Sequence, residues 1–257
     1  MKYVVIICDG MSDEPLEELG GKTPLFTAKT SHTDTLARVS ELGIVHTIPK
    51  GMDAESDVAI LSVLGYNPSL IEQILKDETG DASFDFYTNT GKKGAIVTAD
   101  EKVKTLAGKI NLKVMEAEGA TGDLSTNYGS KKDAAVKAFF EDDMDFVMIH
   151  VKAPGVAGEN KDLDKKISAI ENLDAYVIGP LVEEIQGRDV EFRLLIMPCY
   201  PTPVRLGSAS KEAVPYLLYD SSTEEDGNPV FSEKTALEKG FFYDEGYLLS
   251  NHFLEAE

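Results

Sequence analysis

The residues of this chain best placed for chemistry are Asp9 and Ser56. Asp9 follows the run Tyr3-Val4-Val5-Ile6-Ile7-Cys8 and precedes Gly10. A run of apolar, largely β-branched residues without polar alternation suits a parallel strand covered on both faces. In open parallel sheets ligands collect beyond the carboxyl ends of the strands, and glycine lets the backbone turn sharply there. Asp9 is thus carried to where a site would lie, or else it only caps the turn into Met11-Ser12-Asp13-Glu14-Pro15. Ser56 reads as the N-cap of a helix through Val58, Ile60, Leu61 and Leu64, with Asp57 favourable in its first turn. His46, between apolar neighbours, reads as a sheet-face residue, and His150, within Phe146 to Val151, as a core histidine rather than a metal ligand.

The elements that position these residues are bounded by bulk properties. A chain of 257 residues suits one large α/β domain or two small ones. With Lys+Arg 25 against Asp+Glu 45, the net charge of -20 excludes nucleic acid and anionic membrane surfaces as natural partners. The same charge repels a phosphorylated metabolite unless lysines or a bound cation reverse the field locally. Cys8 and Cys199 are too few for a disulfide framework and suit a reducing compartment. No cleavable leader and no apolar run of about 20 residues is seen, so a cytoplasmic protein is expected.

Along the chain, helix is expected over at least the second half of Leu25 to Leu42, then a short strand over Gly43 to Pro49. From Gly94 the strands Ala95 to Thr98, Leu112 to Met115 and Phe146 to Val151 alternate with helices Asp100 to Lys109 and Lys131 to Phe140. That alternation means a mainly parallel sheet with helices on both sides. Asp162 to Gln186 has the clearest helical period, and Pro180 is expected to kink it. Strands over Glu191 to Met197 and Val214 to Tyr219, a surface loop over Ser221 to Asn228 and helical material over Lys234 to Leu254 follow. Phe241-Phe242-Tyr243 is expected to pack in the core.

Several stretches together resemble the archaeal-type cofactor-independent phosphoglycerate mutases of the alkaline phosphatase superfamily. They are Asp9-Gly10-Met11 with Asp13-Glu14-Pro15, Glu18-Leu19-Gly20-Gly21-Lys22-Thr23-Pro24-Leu25, and Ser56-Asp57-Val58-Ala59 ahead of Leu64-Gly65-Tyr66-Asn67-Pro68. Gly119-Ala120-Thr121-Gly122 with Thr126-Asn127-Tyr128, Ala153-Pro154, Ile178-Gly179-Pro180 and Pro201-Thr202-Pro203 extend the likeness. The resemblance implies a single alkaline-phosphatase-like α/β domain over residues 1–257, a three-layer sandwich around a mainly parallel sheet. It also implies phosphoryl transfer through a serine activated by two divalent metals. Asp9 would be a metal ligand, and Ser56 both ligand and nucleophile, helped by N–H groups at its helix start.

The chain departs from that pattern. Where the family carries its other metal ligands, it has Gly155, Glu159, Cys199, Tyr200 and Ser208, and its histidines fall elsewhere in sequence. Glu159 suits a hard cation and Cys199 a soft one, whereas Gly155 and Tyr200 are poor substitutes. Glu55 stands where the family has glycine. In place of the family's cap domain there is only the segment 69–92, whose basic residues are Lys76 and Lys92. Without a lid, a phosphoserine would be open to hydrolysis.

The expectation is therefore a degenerate, capless relative without mutase activity, kept for a binding, regulatory or assembly role and needing no cofactor. The alternative is a phosphatase or phosphotransferase using Mn, Zn or Mg and acting on a small phosphorylated metabolite through Ser56. An oligomer is a third class, drawing on Phe241-Phe242-Tyr243 and an open sheet edge. Cys8 and Cys199 end strands that are neighbours in the family fold, and side-chain alternation turns Cys8 away from Asp9.

Overall fold

The computed structural model describes residues 1–223 and 230–254. The chain opens with strand β1 (Lys2–Cys8), helices α1 (Pro24–Thr27) and α2 (Ser31–Ala37), strand β2 (Ser40–Val45) and helix α3 (Ser56–Val63). Helices α4 (Ile71–Lys76) and α5 (Phe86–Thr90) lead to β3 (Gly94–Val97), α6 (Glu101–Lys109), β4 (Lys113–Val114), α7 (Tyr128–Phe140) and β5 (Phe146–Val151). Helices α8 (Ala153–Glu159), α9 (Leu163–Leu173) and α10 (Gly179–Gln186) precede β6 (Phe192–Pro198) and β7 (Val214–Asp220). Helix α11 (Glu233–Lys239), strand β8 (Phe241–Tyr243) and helix α12 (Gly246–Leu254) follow.

One eight-stranded sheet runs in the order β4-β3-β5-β1-β6-β7-β2-β8. Its pairings are parallel except where β7 meets β6 and β2. β1 lies inside the sheet, flanked by β5 and β6, and its residues Val4 to Ile7 are fully buried. Alternate residues feed two different cores: Val4, Ile6 and Cys8 pack on one side with Ala135, Phe139 and Leu181, while Val5 and Ile7 pack on the other with Ala59, Leu61 and Phe253. The sequence expectation of an α/β sandwich, with a run too apolar to face water, is met by this double covering. Among the described residues no helix is long and apolar enough to cross a bilayer.

Four local expectations are corrected. β2 begins at Ser40 rather than Gly43, because Ser40 and Glu41 pair antiparallel with Tyr219 and Leu218; β-sheet partners distant in sequence override the local helical look. The long helix does not simply kink at Pro180. Its path widens into a π-helical turn over Asp174–Ile178, and Pro180 sits in the first turn of α10. Proline offers no N–H and crowds the carbonyl four residues earlier, and a widened turn relieves both. Phe241-Phe242-Tyr243 is not core: it forms the edge strand β8, with Phe241 and Phe242 half exposed. Ser56 is the first residue of α3, whose cap position is held by Glu55 without a side-chain capping bond. Of the expected loop Ser221 to Asn228, residues 224–228 lie outside the described residues.

A buried ion pair ties the loops beyond the sheet. Lys166 Nζ reaches Asp13 Oδ2 at 2.6 Å and donates to Ser12 O at 3.1 Å and Thr202 O at 2.8 Å. Asp13 Oδ2 also accepts from Val204 N at 3.0 Å. The ammonium is thereby saturated in a place where an unpaired charge would cost several kcal/mol.

Candidate functional site

Three neighbouring strands end together at one edge of the sheet, and each delivers a polar side chain there. β5, β1 and β6 are parallel, with Ile7 beside His150 and Cys8 beside Pro198. Partners in register share a face, as does every second residue along a strand. His150, Asp9 and Cys199 thus emerge on one face, opposite Cys8, and the two cysteines are free thiols in different cores. The ladder continues past the strand ends. Asp9 N donates to Val151 O at 2.8 Å, Cys199 N to Cys8 O at 3.3 Å and Gly10 N to Tyr200 O at 3.1 Å. Gly10 turns at φ +63°, and a Cβ on it would fall 2.4 Å from Gly155 Cα, so only glycine fits here.

Asp9 is 2% exposed and both its carboxylate oxygens are engaged. Its Oδ2 accepts from Ser56 Oγ at 2.6 Å and from the Tyr200 hydroxyl at 3.3 Å, and its Oδ1 lies 3.1 Å from His150 Nε2. The Ser56 and Tyr200 hydroxyl oxygens are 3.1 Å apart. Behind the ring, His150 Nδ1 is 2.9 Å from Thr98 Oγ1, which also accepts from Asp100 N at 3.1 Å. Burial pushes the Asp9 carboxyl up, but the charge and hydrogen bond of His150, with hydrogen bonds from Cys199 and Ser56, hold it at about 2. Burial pushes the Cys199 thiol and the Tyr200 phenol up, and the neighbouring Asp9 carboxylate adds to both. Cys199 and Tyr200 therefore stay protonated beside an ionised Asp9.

A cleft of about 380 Å³ opens onto this cluster, lined by Asp9, Ser56, Gly155, Tyr200 and Thr202. Its walls add Glu55, Asp100, Glu101 and Glu159 against Lys102 and Lys152. Both lysines are already paired, Lys102 with Glu55 at 2.8 Å and Lys152 with Asp100 at 2.5 Å. Carboxylates outnumber ammonium groups, so the cleft as it stands disfavours a phosphate dianion. Thr202 Oγ1 is buried without a hydrogen-bond partner, packed against the Gly10 turn.

Of the residues singled out in the sequence, Asp9, Ser56, Gly155, Glu159 and Tyr200 line the cleft. Cys199 lies buried behind it, and Ser208 is exposed outside it. His150 is buried, as expected of a core residue, but its ring belongs to the site because it reaches Asp9. The signal was the register: His150 sits one residue from the end of a strand parallel to β1 and shares the face of Ile7 and Asp9. Thr98 and Lys152 gave no such sign, being placed by β3 and by the loop after β5.

The donors present do not fit the pair of hard divalent ions that the resemblance implies. Gly155 brings no donor, and a Cβ there would lie 3.1 Å from Asp9 O and 3.2 Å from Asp9 Cβ. The Tyr200 hydroxyl sits against Ser56 Oγ and Asp9 Oδ2, the atoms such ions would hold, and Glu159 and Ser208 are exposed. Among the described residues, the one group of three metal-capable side chains is Asp9, His150 and Cys199, with donor atoms within 4.8 Å of one another.

The sequence and fold have known relatives. A probable 2,3-bisphosphoglycerate-independent phosphoglycerate mutase of Geobacter sulfurreducens is 25% identical over an alignment of 401 residues, covering 99% of this chain and 100% of the relative. That alignment carries long gaps against a chain of 257 residues. The solved PH0037 protein of Pyrococcus horikoshii superposes with a TM-score of 0.85 at 25% identity, covering 100% of this chain and 97% of the other. The cofactor-independent phosphoglycerate mutase of Thermoplasma acidophilum shares the fold, with a TM-score of 0.70 at 14% identity and 99% of each chain covered. The scaffold is thus phosphoglycerate-mutase-like, of the alkaline phosphatase type. Residues 1–255 match the Metalloenzyme superfamily, and the chain belongs to that family.

Proposed function

We propose that this protein keeps the phosphoglycerate-mutase-like scaffold without mutase chemistry, and that its Ser56 cleft serves recognition in a binding, regulatory or assembly role. The observation that carries this reading is the Tyr200 hydroxyl, which lies 3.1 Å from Ser56 Oγ and 3.3 Å from Asp9 Oδ2, where the mechanism would need cations. Ser56 donates its proton to a carboxyl held at about 2, too weak a base to generate an alkoxide. Among the described residues that line the cleft, the two ammonium groups, Lys102 and Lys152, are paired with Glu55 and Asp100. The segment 69–92, folded as short helical turns on the main domain, stands where the family's cap would be inserted, so water would have access to any phosphoserine. Two buried free thiols agree with a cytoplasmic setting.

The second reading is a metal-dependent phosphatase or phosphotransferase that acts on a small phosphorylated metabolite through Ser56. It draws on the 2.6 Å contact between Ser56 Oγ and Asp9, the pair that such chemistry requires. Intact-mass spectrometry after incubation with phosphoglycerate and Mn²⁺, Mg²⁺ or Zn²⁺ separates the two. Recognition without transfer leaves the mass unchanged in wild type and in Ser56→Ala. A phosphate adduct on wild type alone overturns the first reading.

A further inference from the structure

Among the described residues, one set of three side chains could hold a single metal ion. Asp9, His150 and Cys199 come from three adjacent parallel strands, share one face, and are 2%, 1% and 0% exposed. Their donor atoms all lie within 4.8 Å of one another. A tetrahedral ion with bonds of about 2.0–2.3 Å needs its ligands about 3.3–3.8 Å apart. Small side-chain adjustments close the remaining gap.

The second layer suits the same purpose. A ligating imidazole normally donates its other ring N–H to a fixed partner, which sets the tautomer. Thr98 Oγ1 stands 2.9 Å from His150 Nδ1, and a hydroxyl can either donate to that nitrogen or accept from it. In the metal-free chain Nε2–H can therefore point at Asp9 Oδ1. With an ion in place, Nδ1–H turns to Thr98 and frees the Nε2 lone pair. Asp9 lines the cleft, as do Ser56 and Tyr200, so a fourth position is reachable from solvent. One thiolate, one imidazole and one carboxylate favour Zn²⁺ over the oxygen-seeking Mg²⁺ or Mn²⁺.

We infer that Asp9, His150 and Cys199 form a mononuclear site for a zinc-class divalent ion, with its remaining position open to the cleft beside Ser56. On binding, the Cys199 thiol gives up its proton to solvent and a sulfur–metal bond forms, with no redox change. The inference goes beyond the absence of mutase chemistry. A chain that binds no ion would sink the inference and leave that reading intact, whereas a pair of Mn²⁺ ions would sink both.

The test is Co²⁺ titration of the metal-free full chain, followed by optical spectroscopy and native mass spectrometry. The expected result is one Co²⁺ per chain, a thiolate-to-cobalt charge-transfer band in the near ultraviolet, and loss of that band when Zn²⁺ displaces Co²⁺. Cys199→Ser should abolish the band, while Cys8→Ser, on the opposite face, should keep it. Thr98→Val should keep the band but weaken Co²⁺ affinity about 10–100-fold, the usual effect of losing a partner behind a ligand. X-ray absorption of the Zn²⁺-loaded wild type needs no variant and should show one sulfur at about 2.3 Å. Binding without a thiolate band, a band that survives Cys199→Ser, two ions per chain, or a folded protein that binds neither metal would overturn the site.

Discussion

Putting a carboxylate back at position 155 should fail, and the structure says by how much. Gly155 lies in the first turn of α8, and a Cβ there would sit 3.1 Å from Asp9 O and 3.2 Å from Asp9 Cβ. Alanine in place of a helical glycine normally gains about 0.5–1 kcal/mol, and crowding of this kind costs about 1–3 kcal/mol. Gly155→Ala should therefore lose up to about 2.5 kcal/mol. Gly155→Asp meets the same crowding and also places a second carboxylate near the ionised Asp9. At about 5 Å and an effective dielectric near 20, that repulsion is about 3 kcal/mol. The combined loss of about 3–6 kcal/mol would consume much of the roughly 5–15 kcal/mol that holds a domain together. The repulsion raises the folded-state pKa of the new carboxyl above its unfolded value, so the penalty is fully present at neutral pH and fades as pH falls through that raised pKa. Urea unfolding of the Asp and Ala variants, each at about pH 7 and about pH 4, reads both parts. The reasoning is refuted if Gly155→Asp is as stable as Gly155→Ala at neutral pH, or if Mn²⁺ makes it more stable than wild type, which would reveal a latent two-ion centre.

Asp9 should contribute to acid sensitivity. Its folded carboxyl titrates at about 2 against about 3.9 unfolded, so it contributes stability above about pH 4 that is lost as pH falls through about 2, roughly 2–3 kcal/mol in all. The stability difference between wild type and Asp9→Asn in metal-free buffer should shrink over that window, and a difference that stays flat with pH would contradict the pairing with His150. Lys166→Met should cost about 3–5 kcal/mol by denaturant unfolding, because it leaves the buried Asp13 carboxylate without its cation. Adding Asp13→Asn should recover part of that loss, and purely additive losses would argue against the pair.

The architecture was legible because β1 and β5 are too uniformly apolar for a strand with a wet face, and because strand and helix patterns alternate from Gly94 onward. Asp9 was legible for the same reason, as the first polar residue after a buried run. His150 was not: in one dimension a histidine inside an apolar strand reads as core, and only the pairing of β5 with β1 puts it beside Asp9. Ser56 looked like a helix cap because a serine before Asp57 has that local signature, yet its hydroxyl is taken by a carboxylate 47 residues away. β8 was hidden because its partner, β2, lies far off in sequence, and an edge strand of three residues carries no periodicity to read. The departures at Gly155 and Tyr200 were visible as residue types. That Gly155 packs onto the Asp9 turn, and that Tyr200 turns its hydroxyl onto Ser56, are tertiary facts.

Phosphorus-31 NMR of phosphoglycerate incubated with the full chain and Mg²⁺ or Zn²⁺ puts the central claim to its most direct trial, since it resolves both phosphoglycerate isomers and inorganic phosphate in one spectrum. A scaffold that recognises but does not transfer leaves the starting isomer unchanged. Appearance of the other isomer, or of inorganic phosphate, with wild type and not with Ser56→Ala would show that Ser56 carries phosphoryl groups after all.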